Sequence, residues 1–139
     1  MRRFFAALPA LLTLAACADT PTGTPVPTGS EFLLGAGESA AIEGTDFAVR
    51  FDLVAKDSRC PADAICVTLG DAEAIFTVTQ ARRPSQQLSL HTRPGEGQRA
   101  IVGDFMLTLT HLDPYPYAGR QTSPYDYRAS LRVDRIDGS

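Results

Sequence analysis

The sequence predicts an all-β fold, a single antiparallel β-sandwich (immunoglobulin-like or similar) of about seven to nine strands. Apolar and polar residues alternate with a period of two in several stretches, and Gly, Pro and Asp clusters separate these stretches. Beyond residue 29, no stretch sustains the helical period of about 3.6 residues. There is no internal repeat, so we expect one domain over residues 30–139.

The first half of this domain contains two long predicted strands, at 47–56 and 72–79, and two short apolar runs, at 32–34 and 40–42. In 47–56 the odd-numbered residues from Phe47 onward form the apolar face. In 72–79 the even-numbered residues do. Each long strand is therefore expected to bury one face and expose the other.

The second half continues with shorter predicted strands, at 88–90, 99–102, 105–109 and 125–134. Breaker residues predict turns between them, at 82–85, 93–97 and 103–104. His111 is expected to continue the apolar face of 105–109. Tyr125 and Tyr127 are both expected in the core, on the last strand.

The N-terminal segment has the parts of an export signal. Arg2 and Arg3 precede an apolar run over 4–14, and the run leads into Leu-Ala-Ala-Cys at 14–17. It is too short to cross a bilayer, which takes about 20 residues. The Leu-Ala-Ala-Cys sequence resembles the lipobox of bacterial lipoprotein signal peptides. The resemblance implies that residues 1–16 are removed and that Cys17 is acylated and anchored in a lipid bilayer.

The residues after Cys17 bear on location and reach. Ala18 stands where an Asp favours inner-membrane retention in similar lipoproteins, so the resemblance implies the periplasmic face of the outer membrane. Residues 17–29 are rich in Thr, Pro and Gly, and predict a flexible linker. The twelve residues that follow Cys17, at 18–29, reach about 35–40 Å if each extends the chain by about 3.1 Å.

The charge balance excludes one class of partner. The chain has 13 basic and 16 acidic residues. Removal of residues 1–16 takes away two arginines and no acid, which leaves 11 basic against 16 acidic residues, a net charge of −5. A mildly acidic domain without a basic cluster is a poor nucleic-acid binder, because that affinity depends on Lys and Arg at phosphates.

With Cys17 acylated, Cys60 and Cys66 remain as a pair. An oxidising compartment favours a disulfide, and so short a loop contributes about 2–3 kcal/mol in the loop-entropy model. The alternative is a pair of thiolate metal ligands, but structural zinc sites need four ligands at compact spacings. We therefore expect the disulfide.

The stretch around these cysteines reads Asp-Ser-Arg-Cys-Pro at 57–61 and Cys-Val-Thr-Leu-Gly at 66–70. It resembles a D-S-R-C-P…C-V-x-x-G motif of small bacterial envelope lipoproteins. The resemblance implies a single all-β domain and no particular activity. Thr68 departs from it, since the similar proteins carry Trp there. Asp57 and Arg59 are expected to pair with each other or with backbone groups beside the bridge.

The loop over 113–124 is the main candidate binding surface. Tyr115, Tyr117 and Arg120 lie among prolines and a glycine there, and Tyr and Arg are enriched at binding hot spots. They predict contact with an envelope protein or a glycan. In the alternative interpretation both tyrosines fold back over the end of the sandwich.

Catalytic and metal sites have weaker support. The sequence holds no nucleophile elbow, zinc-protease, phosphate-loop or EF-hand motif. Four carboxylates, Asp57, Asp63, Asp71 and Glu73, match neither an acid pair nor a calcium loop in spacing. We expect a non-enzymatic binding or structural lipoprotein without cofactor or metal. The alternatives are metal handling through the two histidines, His91 and His111, and a small hydrolase.

Overall fold

A computed structural model of the protein describes residues 22–137, except for the side chain of Glu96. The predicted signal peptide, its cleavage site and Cys17 lie outside these residues. Over the described stretch there are nine strands, one short 3₁₀ turn (Glu96–Gln98) and no α-helix. None of the described residues form a helix long and apolar enough to span a bilayer.

The nine strands form two packed sheets, which confirms the predicted sandwich. In chain order they are β1 (Thr24–Val26), β2 (Glu31–Gly35), β3 (Ser39–Ile42), β4 (Phe47–Asp57), β5 (Ala72–Gln80), β6 (Arg83–His91), β7 (Arg99–Val102), β8 (Phe105–Asp113) and β9 (Arg128–Arg135). One sheet has the order β1-β3-β4-β5-β6 and the other the order β2-β9-β8-β7. All described pairings are antiparallel except β1 with β3.

The core lies between the sheets and is built from the predicted apolar faces. The even-numbered residues of β5 up to Val78 are buried, as are Phe47, Val49 and Phe51 of β4. Phe47 meets Phe105 of the opposite sheet, with ring centroids 4.9 Å apart. Such rings supply much of the apolar area that holds a domain of this size together.

Register shifts in two strands, β4 and β8, invert the predicted alternation. In β4, the shift between Phe51 and Leu53 turns Val54 into the core, and Ala55, at a second shift between Val54 and Lys56, is exposed. In β8, a shift after Leu109 buries Leu112 and exposes His111. An extra residue in one strand reverses the faces that follow it. The expectation that His111 continues the buried face is therefore wrong.

Part of the predicted linker belongs to the sheet. Thr24–Val26, within the 17–29 segment, pairs in parallel with Ala40–Ile42 of β3. The backbone of Gly23 is pressed against this strand, since a Cβ there would lie 2.7 Å from the carbonyl carbon of Ser39. Pairing with the free backbone groups at the edge of β3 outweighs the low strand propensity of Pro25.

Two other boundaries also differ from the prediction. The 82–85 turn is shorter than expected, because β6 already begins at Arg83 and includes Pro84. β6 is an edge strand, where a missing N–H is tolerated. The last strand starts at Arg128, so Tyr125 is exposed, contrary to expectation, while Tyr127 is buried as predicted.

The sandwich has two distinct ends. β4 and β8 both run towards one end, where residues 58–71 (the cysteine loop) and 114–127 (the tyrosine loop) leave the sheets. We call this the loop end. The opposite end carries the start of β8 and the β7–β8 turn, beside exposed Ile101.

Candidate contact site at the loop end

The cysteine loop is closed twice. Cys60 and Cys66 form the expected disulfide, with Cα atoms 5.9 Å apart. Below the bridge, the backbone N–H groups of Ser58 and Cys60 donate to the carbonyl oxygens of Asp71 and Leu69 at 2.6 and 3.1 Å. These bonds hold the two arms of the loop together like a short ladder. Few backbone conformations are left to the residues at its tip.

Arg59 anchors this loop to the sandwich. Among the described residues it is the only polar or charged one that is buried. Its guanidinium donates to both carboxylate oxygens of Asp57, at 2.9 and 2.7 Å. It also donates to the carbonyl oxygens of Leu112 and Pro114, at 2.7 and 2.9 Å. A planar fork with several donors suits such a site, and an ammonium group would not replace it.

Asp57 is held in its ionised form by these partners. Burial by itself raises the pKa of Asp57, but the hydrogen bonds and charge of Arg59, with a bond from the Tyr127 hydroxyl, bring it below its usual value. Burial and the neighbouring Asp57 carboxylate raise the pKa of Tyr127. Both groups therefore keep one protonation state near neutral pH, which is typical of a structural network.

The two loops are joined into one body. The backbone N–H of Ala62 donates to the carbonyl oxygen of Pro116 at 2.8 Å. The carboxylate of Asp63 accepts from the N–H of Ala118, also at 2.8 Å. The Arg59 guanidinium lies 4.6 Å from the centroid of the Tyr115 ring, within cation–π range. The tyrosine loop is thus fixed by contacts from the cysteine loop and, at its far end, by β4, where the backbone N–H of Val54 donates to the carbonyl oxygen of Pro124 at 3.1 Å.

This body exposes apolar and aromatic side chains. Ile65 and Val67 are fully exposed and Leu69 is 78% exposed. We call these three residues the apolar tip. Tyr115 and Tyr117 of the neighbouring loop are about half exposed, at 44% and 50%, and Arg120 is exposed as well. Neither tyrosine ring is buried by folding back over the end of the sandwich, and contact through Tyr115, Tyr117 and Arg120 stays a prediction.

A cavity of about 170 Å³ lies behind the tip. Its wall includes Leu69, Arg93, His111 and Tyr115. It is below the usual range of about 300–1,000 Å³ for small-molecule sites. This cavity accommodates a small group at most.

A second polar cluster supports the base of the cysteine loop. The carboxylate of Asp71 lies 2.6 Å from Nδ1 of His91 and accepts from the backbone N–H of Arg93 at 2.9 Å. Burial raises the pKa of Asp71, but the bonds from His91, Arg93 and Thr92 and the charge of His91 lower it overall. The cluster ties the end of β6 to the start of β5.

The alternative prediction is a metal site. In the described part of the chain, no three His, Cys, Asp or Glu side chains lie close enough together to bind a metal ion. His91 faces Asp71, and Nε2 of His111 lies 3.1 Å from Asp113. The four carboxylates noted in the sequence are likewise divided. Asp57, Asp63 and Asp71 each bind different partners, and Glu73 lies opposite Lys56 on β4.

The residues of the apolar tip are not among the candidate binding residues predicted from the sequence. Ile65, Val67 and Leu69 alternate with a period of two, which by itself resembles the pattern of a half-buried strand. Instead, these residues lie in the cysteine loop, outside both sheets. The signal available in the sequence was that Cys60 and Cys66 enclose the first residue of this pattern, Ile65, which indicates a crosslinked loop rather than a strand.

Comparison with protein-family models, curated proteins and solved structures gives no match to this chain.

Proposed function

We propose that this chain is a bacterial cell-envelope lipoprotein, acylated on Cys17 and held at the periplasmic face of the outer membrane. It works as a non-enzymatic binding or structural module and contacts another envelope component through its loop end. The lipobox-like sequence supports the anchoring. The disulfide supports an oxidising compartment, because such bonds persist outside the cytoplasm.

The observation that carries the proposed role is the construction of the loop end. A buried ion pair, a disulfide and two cross-loop hydrogen bonds are spent on fixing two loops that expose apolar and aromatic side chains. Binding surfaces gain affinity when they are ordered before contact, since less conformational entropy is lost. The carboxylates of Asp57, Asp63 and Asp71 are each engaged in structural bonds, which favours contact over chemistry.

Membrane fractionation tests the anchoring. The wild-type protein is expected in the outer-membrane fraction, with a mature N-terminus carrying acyl chains by intact mass. Cys17→Ser removes the acceptor thiol and should leave the domain out of that fraction. Thr28→Ser is the matched control, because it introduces the same residue at an exposed position and leaves Cys17 and the Cys60–Cys66 disulfide intact. Equal membrane association of Cys17→Ser and wild type would refute the anchor.

A further inference from the structure

We infer that the apolar tip (Ile65, Val67 and Leu69) inserts into the interface of the bilayer in which Cys17 is anchored. This inference rests on the proposed acylation of Cys17 and names the partner of the tip. It gives the protein a second, non-covalent membrane contact.

The shape of the apolar tip favours a lipid bilayer over a protein as its partner. Fully exposed Ile65 and Val67 protrude from a closed loop and line no groove. A protein partner needs a cleft complementary to such a projection, whereas the boundary between headgroups and acyl chains accepts apolar side chains without a matching shape. Tyr115 and Tyr117, half exposed beside the tip, are of the type that is enriched at membrane–water interfaces.

The loop is also suited to insertion by its rigidity. The disulfide and the paired backbone groups of Ser58 and Cys60 restrain the arms of the loop. Exposed apolar side chains on a restrained loop cannot collapse onto the sandwich. They remain available for a partner, and little additional ordering is needed on contact.

The position of the tether favours the bilayer. β1 runs parallel to β3, so the chain enters it from the side of the loop end, beside Ser39. Ser39 pairs with Arg50, and β4 rises about 20–23 Å from there to Asp57 at the loop end. Six residues separate Cys17 from Gly23 and span at most about 20 Å. Fully extended, this segment brings an acylated Cys17 about level with Asp57, where the cysteine loop begins.

The charges near the tip indicate an apolar contact rather than an electrostatic one. Asp63, the one charged residue between the two cysteines, accepts a bond from Ala118. The exposed Arg93 and Arg120 at this end are offset by the acidic side chains of Asp63, Asp71 and Asp113. The mature chain is also acidic overall, so the protein offers no polybasic patch to anionic headgroups. The tip should consequently enter zwitterionic and anionic membranes alike, with little dependence on salt.

A single introduced tryptophan tests the inference, because the chain contains none. Val67→Trp is placed on the tip, and Ile101→Trp, at an exposed site on the opposite end of the sandwich, is the matched control. Both variants are expressed with residues 1–16 so that the cell can process them, extracted from whole cells with detergent, and reconstituted in phosphatidylethanolamine–phosphatidylglycerol vesicles, with or without brominated phosphatidylcholine; vesicle flotation is recorded for each. Inserted Val67→Trp emits at shorter wavelength and is quenched by the brominated lipid, while Ile101→Trp is neither shifted nor quenched.

Each other outcome overturns the inference in a distinguishable way. If both proteins float and the two tryptophans are quenched equally or not at all, the tip is not inserted, although the anchor stands. A blue shift of Val67→Trp without quenching means that a second copy of the chain covers the tip instead of lipid. If neither protein floats, the acylation of Cys17 fails as a proposal and the insertion of the tip fails with it.

Discussion

Replacement of Arg59 by Met probes the network that fixes the loop end. The change keeps a long apolar stem but removes every donor of the guanidinium. It leaves the Asp57 carboxylate, whose side chain is 9% exposed, without its ionic partner. The carbonyl oxygens of Leu112 and Pro114 also lose a donor. Arg59→Met should therefore cost far more than a surface substitution.

The expected loss follows from the burial of the pair. Removing one partner of a buried ion pair costs about 3–5 kcal/mol, because an uncompensated charge remains. For a domain of this size each kcal/mol lowers the melting temperature by about 3–5 °C. We expect Arg59→Met to lower the free energy of unfolding by about 3 kcal/mol or more, and the melting temperature by about 10 °C or more.

Urea unfolding of the oxidised protein, followed by far-ultraviolet circular dichroism, measures this loss. Arg132→Met is the matched control, since Arg132 pairs with Asp134 at the same sequence spacing but is 49% exposed. Exposed pairs contribute about 0–1 kcal/mol, so this variant should remain close to wild type. Asp57→Asn combined with Arg59→Met should cost less than the sum of the two single changes. A loss below about 1 kcal/mol for Arg59→Met, or strict additivity, would refute the reasoning.

Two further predictions concern the same region. Gly70→Ala should be strongly destabilising in thermal melts, because Gly70 has a φ of +66° and an added Cβ would overlap the carbonyl oxygen of Ser58. Gly119→Ala is the control, since Gly119 has a similar φ of +74° but open space around it, and it should lower the free energy of unfolding by only about 1 kcal/mol. Equal losses would contradict the close approach. Acid should destabilise the protein partly through Asp57, because the pKa of this carboxyl group is lower in the folded state than in the unfolded state. The contribution of Asp57 to the free energy of unfolding is therefore fully present above about pH 4 and is lost as the pH falls through the pKa of the folded state. Asp57→Asn should make the free energy of unfolding fall less steeply between about pH 5 and pH 2, and an unchanged slope would contradict this account.

The sandwich could be predicted from sequence because its long strands alternate cleanly. Phe47, Phe51 and Phe76 all lie in the core, where their spacing places them. The alternation fails at Val54 and His111, after register shifts in β4 and β8. A shift depends on how the neighbouring strand pairs, and one strand's sequence does not carry that information.

The candidate site was predictable only in its parts. Cys60 and Cys66 pair as their spacing suggests, and Arg59 binds Asp57 as expected. The contacts of Arg59 with Leu112 and Pro114 lie more than fifty residues away in sequence. Such contacts arise only when the two sheets stack. The joining of the two loops therefore had no local signal.

Photo-crosslinking in cells tests the central claim that the loop end is the contact surface of the anchored protein. A photoreactive phenylalanine analogue replaces Tyr117 on the tyrosine loop or Ile101 at the opposite end. Both sites are exposed. We predict reproducible lipid or protein adducts through position 117 and none through position 101. Adducts through position 101 alone, or none at position 117, would contradict the assignment of the loop end.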